Sequence, residues 1–177
     1  MPLQNFNGLF GQKVLLLTHS GSDIDALSSA AAIYFSLSKK FKITIGIPDH
    51  MNLQASQLAK NLEIPFMLNP QISGFDAAVC LDFNESSMLG SMREKFLEFR
   101  GVKYLIDHHR SGKEKITQAN NACSRKDAIS TTEIVYDLLK ATKVKIPKKA
   151  YECIAAGIIS DSASFTIADH ETFYIMA

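Results

Sequence analysis

Acids and imidazoles recur where strand-length apolar runs end, and this is the chain's clearest chemical signal. His19, Asp23 and Asp25 follow "VLLLT", Asp82 follows "DAAVCL", His108 and His109 follow "VKYLID", and Asp161 closes "CIAAGIIS". Taken singly, each has an ordinary use. Asp25 can cap a helix starting at Ala26, Asp23 and Asp82 can fill turns, and His19 can satisfy strand-end backbone. Adjacent imidazoles after Asp107 are harder to place without partners. An acid such as Asp161 at a helix C-terminus opposes the macrodipole by about 0.3–1 kcal/mol when exposed. Asp23, Asp25, Asp82 and Asp161, brought close together, would repel one another and raise their own pKa values. Divalent cations remove that conflict and use the carboxylates as ligands. His50 and His170 lie in polar loop sequence and read as surface residues.

Elements of alternating type must deliver these side chains. Lys13–Thr18 reads as a strand and Ala26–Lys39 as a helix with apolar residues at core spacing. Phe41–Ile47 alternates as a second strand, Gln54–Asn61 is helical, and "IPF" is at most a short strand. Asp76–Leu81 and Val102–Ile106 are buried strands, with "SSMLGSMREKFLEFR" helical between them. Ser130 to Thr142 is a helix opened by a capping box, Ser130 with Glu133. Pro147 opens another helix through about Ile159, and Asp169 caps a terminal one. Strand–helix alternation predicts an α/β fold: a mostly parallel sheet flanked by helices, Rossmann-like in three layers. In such sheets ligands sit beyond the carboxyl ends of the strands, where the acids and imidazoles collect.

Bulk properties narrow the class. The chain has 177 residues, enough for one domain with a real core. Its 46% apolar and 21% charged residues describe a globular protein. Nineteen basic residues against 18 acidic give a net charge of +1, which argues against strong binding of duplex nucleic acid. A small phosphorylated substrate needs only local charge. Cys80, Cys123 and Cys153 are odd in number, well separated, and read as reduced thiols. No apolar run approaches the roughly 18 residues of a membrane span, and the N-terminus lacks a signal peptide's pattern. The expected location is cytoplasmic, with no membrane partner.

Four ordered segments, "HSGSDIDA" from His19, Asp82 after its strand, "DHH" at Asp107–His109 and "GIISD" ending at Asp161, resemble the motifs of the DHH phosphoesterase superfamily. "STTEIVYDLL" from Ser130 is similar to that family's linking helix, so the resemblance covers essentially the whole chain. The superfamily includes RecJ-type exonucleases, oligoribonucleases that dephosphorylate pAp, cyclic-dinucleotide phosphodiesterases and family II inorganic pyrophosphatases. The resemblance implies two divalent ions, Mn²⁺ before Mg²⁺, Co²⁺ or Zn²⁺. His19, Asp23 and Asp82 would hold one, and Asp25, His108 and Asp161 the other, with Asp82 bridging. His109 would face the substrate, and Arg110 is a candidate contact for a phosphate oxygen. The implied reaction is hydrolysis of a nucleotide or short-oligonucleotide phosphoester by a metal-activated water, with no covalent intermediate. An inorganic pyrophosphatase-like activity and a non-catalytic, metal- or nucleotide-binding regulatory domain are the alternatives.

Two departures from the family pattern stand out. The first loop reads "SGSDID" and the fourth motif continues "DSASF", where many relatives have a Gly or Pro and a Thr-Gly respectively. The family's second, substrate-binding domain has no counterpart before Ala177. Residues 1–177 are therefore expected to form the N-terminal catalytic domain of a longer two-domain protein, weakly active alone; a homodimer is compatible with the sequence. A haloacid-dehalogenase phosphatase would place its D-x-D nearer the strand, and a receiver domain would not need two histidines.

Overall fold

The computed structural model describes Phe6, residues 12–110, Ile116 and residues 121–177. Six strands, β1 (Lys13–Leu17), β2 (Lys42–Ile47), β3 (Met67–Leu68), β4 (Ala77–Leu81), β5 (Val102–Asp107) and β6 (Ala122–Ser124), pair in the order β3-β2-β1-β4-β5-β6. Every pairing is parallel. Strand order reverses between β1 and β4, so their connections leave in opposite directions. That opens a crevice beyond the carboxyl ends of these two strands.

Both faces of the sheet are covered, as near-continuous apolar strands require. Val14, Leu16, Val79, Leu81 and Ile106 pack against α1 (Ile24–Leu37), α4 (Thr131–Ala141) and α5 (Lys148–Asp161). Alternate residues Leu15, Leu17, Ala78, Cys80 and Leu105 face the other way, onto Phe83, Leu89, Met92 and Phe96. The helices α2 (Leu53–Leu62), α3 (Arg93–Glu98) and α6 (His170–Met176) complete the set. Among the described residues no helix is long and apolar enough to cross a membrane.

Several elements differ from the sequence reading. The stretch expected as one helix after Asp82 is a 3-10 segment, Ser86–Met92, followed by the six residues of α3. Gly90 breaks it at φ +51, ψ −128. The short third strand is Met67–Leu68, just beyond "IPF", and β6 is an additional three-residue strand. Asp23, not Asp25, caps α1, its Oδ1 accepting from the Ala26 amide at 3.1 Å. The capping residues of α4 and α6 are where expected: Ser130 Oγ accepts from Glu133 N at 3.2 Å, and Asp169 Oδ1 from Thr172 N at 3.0 Å. Pro147 stands at the N-cap of α5.

Gly157, on α5, sets how closely that helix approaches α1 and α4. A Cβ there would come within 2.9 Å of Thr132 Cβ and 3.0 Å of Asp25 Oδ1.

Candidate metal centre

The crevice at the sheet's carboxyl edge gathers the acids and imidazoles. Leu17 and Leu81 end adjacent strands, so the loops behind them carry His19, Asp23 and Asp82 to the same place. His19 Nε2 lies 3.9 Å from Asp23 Oδ1 and 4.0 Å from Asp82 Oδ2. From the end of β5, His108 Nε2 lies 3.6 Å from Asp82 Oδ1 and 3.4 Å from Asp161 Oδ2. Three groups of donor atoms result, each within 4.8 Å internally and each able to hold a cation: Asp82–His108–His109, and the two that share no residue, His19–Asp23–Asp82 and Asp25–His108–Asp161. Asp82 reaches toward both with different oxygens. Its backbone turns into the left-handed region, φ +65, as the chain leaves β4.

Buried Asp25 is held by the start of α4. Its Oδ2 accepts from Thr131 N at 2.7 Å, and its Oδ1 from Thr132 N at 3.0 Å and from the Thr132 hydroxyl. Thr131 Oγ1 also donates to Asp82 Oδ1 at 2.8 Å. The unpaired amides of a helix N-terminus favour anions, which explains why Asp25 turns to this helix. Sequence reasoning missed both threonines. The signal was there: two hydroxyl residues directly behind the Ser130 cap, with free first-turn amides.

Charge is crowded in the crevice. Burial, then the Asp25 and Asp23 charges, push Asp82 well above the ordinary carboxylate range. Burial followed by the same two charges pushes Asp161 up to about 7. Burial also raises Asp25, against the pull of its Thr132 and Thr131 hydrogen bonds. Burial works against Asp23, but the nearby His19 imidazole and the Ala26 hydrogen bond together lower it.

The imidazoles show what would relieve that crowding. His108 Nδ1 lies 3.3 Å from the Ala128 carbonyl, which can only accept, so Nδ1 carries the hydrogen. Its Nε2, which in the neutral ring then presents a lone pair, is buried among carboxylates with no hydrogen-bond partner. The His19 ring is fixed likewise, its Nδ1 donating to Ser20 O at 3.0 Å. Oriented imidazole nitrogens among carboxylate oxygens, with backbone carbonyls behind the rings, are a donor set that fits Mn²⁺ and related divalent ions.

His109 is placed differently. Its ring is half-exposed, with Nδ1 2.8 Å from Asp107 Oδ1 and 3.6 Å from Asp82 Oδ1. The Asp107 hydrogen bond raises its pKa. Burial works against Asp107, but its hydrogen bonds from His109 and Asn84 together lower it. Asn84 Nδ2 donates both to Asp107 Oδ2 at 2.8 Å and to the Arg110 carbonyl at 3.0 Å. Arg110 is exposed beside this group, His170 is exposed on α6, and His50 is exposed on the loop after β2.

A family model, that of the DHH family N-terminal domain, matches residues 13–158. The chain belongs to the DHH family. Among curated DHH relatives, a probable manganese-dependent inorganic pyrophosphatase of Streptococcus pyogenes is 26% identical over 171 residues, 89% of this chain and 52% of that protein. The chain thus spans about half the length of the curated relatives it matches. An exopolyphosphatase-related protein from Bacteroides fragilis shares the fold, with a TM-score of 0.81 at 23% identity, over 94% of this chain and 52% of that one. An exonuclease RecJ bound to manganese also superimposes, with a TM-score of 0.56 at 14% identity, over 94% of this chain and 42% of its own.

Proposed function

We propose that this DHH domain is the catalytic part of a metal-dependent phosphoesterase that hydrolyses a nucleotide or short-oligonucleotide phosphoester. The observation that carries the reading is Asp82, whose two carboxylate oxygens face the His19 and His108 nitrogens at 4.0 and 3.6 Å. A carboxylate so placed can bridge two cations. Two bound divalent ions supply an activated water and neutralise charge on the phosphoryl oxygens.

The chain's own residues do the rest. His19, Asp23 and Asp82 would hold one ion, and Asp25, His108 and Asp161 would hold the other. Thr131 and Thr132 keep Asp82 and Asp25 aimed inward. His109, backed by Asp107, presents its exposed edge to the phosphoryl group and donates a hydrogen bond or proton from Nε2. The Asp107 hydrogen bond raises its pKa, which favours the doubly protonated ring that carries a proton on Nε2. Arg110 stands ready to meet a phosphate oxygen.

Inorganic pyrophosphate is the second reading, favoured by the likeness to the probable manganese-dependent inorganic pyrophosphatase of Streptococcus pyogenes. A regulatory domain that binds metal without turnover is disfavoured by the complete donor set. The test is Mn²⁺-dependent hydrolysis of pAp, a short oligonucleotide, a cyclic dinucleotide and pyrophosphate, with Asp82→Asn and His108→Ala as controls. Turnover by wild type that both variants lose supports the reading, and the preferred substrate decides between the two. Fewer than one Mn²⁺ bound per wild-type chain would sink it.

A further inference from the structure

Asp49 lies outside the donor set, yet it binds together the segments that carry part of that set. It sits just beyond β2 with φ +53, in the left-handed region. Its Oδ2 accepts from Ser20 Oγ at 2.8 Å and from Ser91 N at 3.2 Å, and its Oδ1 from the Ser91 hydroxyl. Its own amide donates to Asn69 Oδ1 at 2.9 Å. Four segments therefore meet at this one residue, the loops after β1, β2 and β3 and the 3-10 segment after β4, with Ser20 and Ser91 on its carboxylate and Asn69 on its amide.

Ser20 is the link to the cation site. Its carbonyl holds His19 Nδ1–H at 3.0 Å, and its amide donates to Met88 O at 2.8 Å. The residue after Asp49 grips the same loop: the His50 carbonyl accepts from Gly21 N at 3.0 Å and Ser22 N at 3.2 Å. Asn52 N returns to Ser22 O at 2.9 Å. Residues 19–22 are thus clasped by residues 49–52 on one side and residues 88–91 on the other. Gly90 makes room for this, since a Cβ there would overlap Asp49 Oδ2 and approach Ser20 Cβ to 3.1 Å. The Ser91 hydroxyl, then that of Ser20, hold the Asp49 carboxyl below its ordinary range, so it accepts as an anion.

We propose that Asp49 is a positioning residue for His19, fixing the Ser20 peptide and through it the orientation and tautomer of the His19 ring. The inference rests on the two-cation reading above. Outer partners of a ligand imidazole commonly govern affinity by about 10–100-fold.

The experiment compares wild type with Asp49→Ala by Mn²⁺ calorimetric titration and by nitrogen NMR of the histidine rings in the metal-free protein. Asp49→Ala is expected to weaken one of two Mn²⁺ sites by about 10–100-fold, leave the other unchanged, and give His19 a mixture of tautomers. If that variant does not fold, Ser20→Ala carries the test, because it removes only the hydroxyl that meets Asp49. Wild-type affinity at both sites, with a single His19 tautomer in the folded variant, overturns the inference and leaves the proposed function standing. Wild type that takes up less than one Mn²⁺ overturns both.

Discussion

Asp25 and Thr132 come from helices far apart in the chain and meet in the core, where the Thr132 amide donates to Asp25 Oδ1 at 3.0 Å. The Thr132 hydroxyl adds a second bond to that oxygen and lies 3.1 Å from Ser29 Oγ. Thr132→Val keeps the shape and the amide but removes the hydroxyl. It is expected to cost about 1–3 kcal/mol in chemical denaturation, since it leaves buried acceptors short of a donor. Mn²⁺ affinity at the Asp25 site should fall by about 10–100-fold. Calorimetric titration separates that loss from the change in stability.

Acid pH should empty the site. With Asp161 at about 7, binding a cation must displace its proton, so Mn²⁺ affinity falls about tenfold per pH unit for each proton displaced below that value. Stability of the metal-free protein moves the other way. A carboxyl raised from 3.8 to about 7 on folding contributes fully below about pH 4 and loses that contribution as pH rises through about 7. Asp161→Asn should therefore melt progressively higher than wild type as pH rises from 5 to 8 without metal. A constant difference across that range would count against the crowding of charge described above.

His109 and His108 should separate in experiment. His109→Gln is expected to lower kcat by about 10²–10⁴-fold while Mn²⁺ uptake stays at the wild-type level. His108→Ala should lose a cation as well as turnover. Equal loss of metal by both variants would make His109 a ligand rather than a substrate-facing group.

Ala163, Ser164 and Phe165 run consecutively through the left-handed region, at φ +49, +56 and +68, directly after the site acid of α5. A side chain in that region costs about 1–2 kcal/mol, part of which glycine returns through the unfolded chain. Ala163→Gly should raise the melting temperature by about 2–4 °C, a net gain of about 1 kcal/mol. It also restores the glycine that many family members carry after the fourth acid. Thermal melting of the metal-free protein checks this directly.

The clustering of these side chains was legible because parallel sheets bring strand ends to one edge, and His19, Asp82 and His108 stand there in plain sequence. Their helices were legible from caps such as Ser130 and Asp169. What escaped was short or cooperative. Three residues of β6 offer no period to read, and Gly90 broke a stretch whose apolar spacing looked helical. The exchange of roles between Asp23 and Asp25 could not be seen locally either. Asp25 leaves the cap of its own helix because a second helix, more than a hundred residues later, offers it two amides.

Gly157 and Asp161 lie one turn apart on α5, the helix that seats against Asp25 and Thr132 and completes the donor set. During synthesis the ribosome releases His19, Asp23 and Asp25 long before that helix. A nascent chain thus carries an unfinished cage until α5 has emerged. The Asp25–His108–Asp161 group is whole only once that glycine-notched helix has docked.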